Sequence, residues 1–180
     1  MIRNILPYII LLSSFSTSSY GEDVKPAAQL NLEVLDGLCV QNFEDFSNIE
    51  HMAKAFGGKP VLPSITNADP VMRNMNGKSF YIPYGGSQFI VGYAKGGGCT
   101  VMTRNIDQVK LAALITKNYS AKLVHTEKSG AQVSSIFLVT GNSLHKGSIF
   151  SLVYGKKATG FTEGSVGFIP ANIVNSARRK

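Results

Sequence analysis

The sequence predicts an α+β domain, an antiparallel sheet of about six to eight strands with two helices packed on one face, and three observations predict it. The stretch Lys78 to Arg104 reads as a three-strand meander. Phe80, Ile82 and Tyr84 alternate with Ser79, Tyr81 and Pro83, Phe89, Val91 and Tyr93 follow across Gly85-Gly86, and Val101 follows across Gly96-Gly97-Gly98. Two segments, one on each side of the meander, switch to the helical period. Four further runs of strand length lie between Ala121 and Ile169.

At 180 residues, with 44% hydrophobic and 16% charged residues, the chain has the composition of one compact domain able to bury a core. Residues 1–21 differ from the rest. Arg3 precedes an apolar run from Ile5 to Leu12, and a Ser/Thr-rich stretch ends at Ser19-Tyr20-Gly21, with small residues where a signal peptidase reads. They read as a secretory signal with Glu22 as the mature start, and the run is too short for the ~20 residues a membrane span needs. Residues 22–29 are a polar lead-in, and residues 30–180 are the domain.

Leu30, Leu32 and Val34 alternate with Asn31 and Glu33, which predicts a short strand before the turn at Asp36-Gly37. Ser47 and Glu50 have the spacing of a capping box, and Ile49, Met52, Ala53 and Phe56 form one helical stripe that Gly57-Gly58 ends. Lys59 to Gly77 has little periodicity and is expected to be a long irregular connection anchored by Val71 and Met72. After the meander, Asn105 is placed to cap a second helix, with Ile106, Val109, Ala112 and Ala113 on one face and Leu111, Leu114 and Ile115 widening it. Strands are then expected at 121–126, 132–140, 148–154 and 166–169, followed by a fraying basic tail from Asn172. Each cysteine precedes a helix cap and each helix precedes strands, a hint of a duplicated strand-helix-strand-strand unit.

Cys39 and Cys99 are the only cysteines. Export delivers an even pair to an oxidising compartment, which favours one disulfide over two buried thiols. A thiol nucleophile at Cys99, cradled by the three preceding glycines and served by His125 or His145, is the competing reading. The three histidines, His51, His125 and His145, stand at no metal-ligand spacing, no phosphate-binding loop is present, and no cofactor is implied. The carboxylates are too scattered to single out an acid-base pair.

Net charge is +7, or +6 without Arg3, which points to an acidic protein or an anionic envelope polymer as partner. The short clusters Lys156-Lys157 and Arg178-Arg179-Lys180 are no nucleic-acid footprint. A recognition surface is expected around Tyr81, Tyr84, Arg73 and Lys95, because aromatic residues with nearby cations are the usual anchors of binding sites.

The run from Cys39 through the helix to Gly57, the strand Phe89 to Tyr93 and the Gly98-Cys99-Thr100-Val101 step resemble small, largely uncharacterised exported proteins of Gram-negative bacteria. The resemblance implies a periplasmic or secreted setting and a role as an envelope accessory factor or an immunity protein against a delivered toxin. The expected activity is therefore protein–protein contact without catalysis. The alternative is an envelope hydrolase assembled around His125 or His145.

Overall fold

In the computed structural model the described residues are 25–45, 47–67, 70–155 and 163–179. The expected signal segment lies outside them. The chain forms one open antiparallel sheet of eight strands in the order β1-β2-β3-β4-β8-β7-β6-β5. The strands are β1 (Lys59–Pro60), β2 (Lys78–Tyr84), β3 (Ser87–Tyr93), β4 (Cys99–Thr103), β5 (Ala121–Ser129), β6 (Gln132–Val139), β7 (Ile149–Gly155) and β8 (Gly164–Ile169). The helices are α1 (Ala27–Leu35), with a π-helical continuation Asp36–Val40, α2 (Asn48–Ala55), α3 (Pro63–Thr66), α4 (Pro70–Asn74), α5 (Gln108–Tyr119) and α6 (Ala171–Ala177).

The first expected strand is instead helix α1, which begins at Ala27 within the expected lead-in. The alternation of Leu30, Leu32 and Val34 is real, but it spans five residues. Over the longer run Ala28, Asn31, Leu35, Leu38 and Cys39 are buried too, so the segment is a helix enclosed on most sides. Leu30 seats against the Gly85-Gly86 turn, where a Cβ on Gly85 would lie 2.5 Å from a Leu30 methyl. Both glycines have positive φ, as a two-residue hairpin of this twist requires.

Helix α2 forms where the stripe places it and buries Ile49 and Ala53, but the capping box does not form. The Asp45 carboxylate accepts the Ser47 N–H at 2.9 Å, while Glu50 reaches Lys54 at 3.0 Å and Lys78 of β2 at 2.6 Å. Two cations at bonding distance outcompete a backbone amide for that carboxylate. Helix α5 is capped by Asp107, two residues after the expected Asn105, and it buries Leu111 and Ile115 while Val109 stands 72% exposed.

The connection 59–77 is not irregular throughout, since it carries β1, α3 and α4. Met72 anchors it: Cβ atoms added to Gly92 or Gly77 would meet its methyl at 3.2 and 2.6 Å. The four later strands stand where the alternation places them, within a few residues. The expected fraying tail is helix α6 through Ala177, started by Pro170 and held by buried Val174.

The core lies between the sheet and helices α1 and α5, with Phe89, Phe150, Phe168, Leu35 and Leu38 fully buried. Cys39 and Cys99 are joined, Cα to Cα 5.4 Å, which ties the end of α1 to the centre of the sheet. The repeated unit is therefore a helix followed by four antiparallel strands: α1 precedes β1 to β4 and α5 precedes β5 to β8. The two meanders meet at β4 and β8.

Candidate functional site

Period-two geometry gives each strand one helix-facing set and one set on the second face. On β2 the helix-facing side chains are Phe80, Ile82 and Tyr84, and the second-face ones are Ser79, Tyr81 and Pro83. The pairing register then carries one row of second-face residues across the sheet: Lys59, Tyr81, Ile90, Met102, Ser165, Val153, Ser134 and Glu127. Tyr81 is 41% and Met102 39% exposed. The part of this row from Lys59 to Val153 lines a trough of about 1060 Å³ that reaches from Lys59 on β1 to Gln132 on β6 and also takes in Arg104 and Glu163.

Beside that row runs another of small residues, Ser79, Gly92, Thr100, Gly167 and Ser151. A Cβ on Gly167 would come within 2.6 Å of the Ser151 hydroxyl, so this strip is level and admits no larger side chain. Helix α4 lies over its β2–β3 end through Met72.

The four residues expected to form one recognition surface fall in different places. Tyr81 is in the trough. Tyr84 faces the helices, where its hydroxyl donates to Glu33 at 2.9 Å and its ring meets Phe56 edge-on at 6.3 Å. Arg73 is exposed on α4, and Lys95 is exposed in the β3–β4 turn, beyond the far end of β3 from the trough. Sequence reasoning missed Lys59, Ser165 and Val153, whose place in the row follows from strand order and register rather than from any local pattern.

A second, smaller cleft of about 470 Å³ lies between α1 and α5, lined in part by Gln29, Glu33, Asp36, Asn118 and Tyr119. Its carboxylates are already engaged. Partial burial would raise the Glu33 carboxyl, but bonds from Lys25, Tyr84 and Gln29 prevail and hold it below the usual glutamate value. Asp36 accepts the Tyr119 hydroxyl at 2.6 Å and the Gln41 amide at 2.9 Å. Burial first, and that carboxylate second, push the Tyr119 phenol well above its ordinary range. These groups splice α1 to α5 and to the β2 hairpin.

The histidines do not converge. His51 is exposed on α2. His125 pairs with Ile136 at the outer strand β5 and points to the second face, beside a register shift between Leu123 and His125. His145 lies on the helix side, its ring enclosed edge-on by Phe43 at 5.1 Å, Phe168 at 5.7 Å and Tyr119 at 6.3 Å, and its Nδ1 is buried without a hydrogen-bond partner. The thiol-nucleophile reading of Cys99 is overturned, because its sulfur is bonded to Cys39 and carries no nucleophilic thiolate.

Among the described residues no three or more His, Cys, Asp or Glu side chains come together as metal ligands. Also among them, no helix is long and apolar enough to cross a membrane. No protein-family model, no curated protein and no solved structure matches the chain. The fold and site define an α+β domain, disulfide-stapled, with one sheet face covered and an open trough on the other.

Proposed function

We propose that the protein is an exported, non-catalytic binding module that acts by protein–protein contact in the cell envelope, as an accessory or toxin-immunity factor. The trough on the second sheet face is its contact surface. One observation carries the reading: the register aligns Tyr81, Ile90, Met102 and Val153 from four strands into one row along the trough, Tyr81 and Met102 exposed and Ile90 and Val153 half-buried. An aligned apolar row left open on an eight-strand sheet is what a partner covers. The disulfide supports an oxidising compartment such as the periplasm.

The test is crosslinking in cells that produce the full chain. A photoreactive phenylalanine replacing Met102 should give one discrete crosslinked species, and adding Ser165→Arg should remove it while circular dichroism and the melting temperature stay unchanged. The same probe replacing Val109, exposed on the outer side of α5, is the control. Crosslinking from position 102 no different from that control refutes the reading.

A further inference from the structure

We infer that the trough accepts an acidic amphipathic helix of the partner; this rests on the protein-contact reading and names the partner's chemistry. Length comes first. From β1 to β6 the sheet order crosses six strand spacings, which at ~4.8 Å each is about 29 Å. A helix rising 1.5 Å per residue fills that length with roughly 19 residues, about five turns. The trough is open on one side, so a helix seated in it has one stripe on the floor and the other in water.

The floor selects a helix over an extended peptide. Its strands β2, β3, β4, β8 and β7 have both neighbours in place, so their backbone groups are committed to the ladder. A strand laid on that face would bury its own N–H and C=O groups unpaired, whereas a helix brings them already satisfied. The floor also offers seats for a helical stripe. The small Ser165 stands between Met102 and Val153 in the register, and the unbranched Met102 adapts to what enters.

Charge selects an acidic helix. Away from the trough several acids are engaged: Glu33 with Lys25, Asp36 with Tyr119, Asp45 with Ser47, Asp107 with Lys110 and Glu50 with Lys54 and Lys78. The trough lining holds two cations against one carboxylate: Lys59 has no ion-pair partner among the described residues, and Arg104, 93% exposed, has one loose contact to Glu163 at 3.9 Å, while Glu127 stands at the far end of the row, beyond the lining. The chain as a whole carries +7. Cations flanking an apolar row favour a helix whose solvent stripe is Glu- or Asp-rich, by steering and by register.

The test uses two synthetic 18-residue amphipathic peptides with the same Leu/Phe stripe and either a Glu-rich or a Lys-rich polar stripe. Each is titrated into isotope-labelled protein purified from cells producing the full chain, with methyl spectra as readout. The Glu-rich peptide should shift Ile90, Met102 and Val153 saturably, become helical on binding, and bind about tenfold tighter than the Lys-rich one at low salt. Lys59→Glu with Arg104→Glu should abolish that preference, and Ser165→Arg should abolish binding of both. No saturable shift in the trough, equal affinities, or shifts confined to β5 or to the α1–α5 cleft would overturn the inference. Such a result beside trough-dependent crosslinking in cells leaves the contact reading standing, whereas loss of that crosslinking removes both. Self-association of the protein through the trough, seen as a dimer by sedimentation, would also overturn it.

Discussion

Replacing Cys39 and Cys99 together by alanine tests the staple, and its magnitude can be worked from the structure. The bond joins residues 60 apart in sequence, and on the chain-entropy account a loop of that length restricts the denatured ensemble by about 4 kcal/mol at 25 °C. Both sulfurs are buried, and losing each as a methylene-sized group adds roughly 1 kcal/mol. The variant should therefore be less stable by about 5–6 kcal/mol, an upper figure because denatured chains are already partly compact. For a chain of this size that is a fall in Tm of roughly 10–20 °C. The chain has no tryptophan, so the assay is urea unfolding followed by far-ultraviolet circular dichroism. The midpoint should drop and the urea dependence steepen, since an uncrosslinked denatured chain exposes more surface. A loss below about 1 kcal/mol with unchanged slope would refute the reasoning, because restricting the denatured chain is where nearly all of the effect is placed. In the unaltered protein, reduction by dithiothreitol should wait on unfolding and speed up with added urea.

Three further outcomes are expected. The carboxyls of Glu33, Asp45 and Glu50 all sit below their usual values in the folded protein, so the stability they supply is full at neutral pH and is lost as pH falls below about 4; urea midpoints at pH 7 and pH 3 measure it, and Glu33→Gln should reduce the drop. The Tyr119 phenol is raised by burial and by Asp36, so stability from this group holds below about pH 10 and is lost above it. Accordingly Tyr119→Phe should leave the 295 nm absorbance titration unchanged up to about pH 11, and a missing tyrosinate signal below that would show the hydroxyl to be accessible. Strand β5 is an outer strand of nine residues with Leu123 and Val124 about half exposed, and Lys122 and Lys128 interrupt its apolar character; Lys122→Val with Lys128→Val should raise light scattering on warming with little change in the urea midpoint.

What the sequence disclosed follows the range of the signals. Alternation within a strand is a short-range pattern, and Phe80 to Val101 and Gln132 to Ile169 were legible because each strand is half buried. The pair Cys39–Cys99 was legible from compartment and parity alone. The same short window misread Leu30 to Val34, since a helix buried on most sides carries too many apolar residues for five positions to fix its period. The Asp45–Ser47 turn before α2 and the cap at Asp107 were hidden for a different reason. Several Ser, Asn and Asp residues compete near each helix start, and long-range partners such as Lys78 for Glu50 decide which one acts. The site was least legible: Tyr81 was singled out, but Tyr84 three residues on turns to the helices, and Ser165 and Lys59 join Tyr81 only through the order of the strands.

That strand order also accounts for the open face. Both halves run helix then meander, and β4 and β8 meet antiparallel with both helices on one side. An axis relating two such halves must stand perpendicular to the sheet, because an axis lying in the sheet plane would send the helices to opposite faces. Among the described residues the arrangement covers one face with both helices and leaves a trough open on the other, beside the strip that Met72 of α4 meets. Part of the rest of that face is small or polar, as at Thr100, Ser151 and Gly167, which suits an open sheet face. The apolar residues at 81, 90, 102 and 153 lie on one line of register, and Ile136, Leu138, Ile149 and Ile169 stand on the same face towards the other ends of β6, β7 and β8. The first set lines the trough and the second does not. Of the two apolar sets on this face, only the one at 81, 90, 102 and 153 borders the trough, so substitution there is what tests the proposed contact.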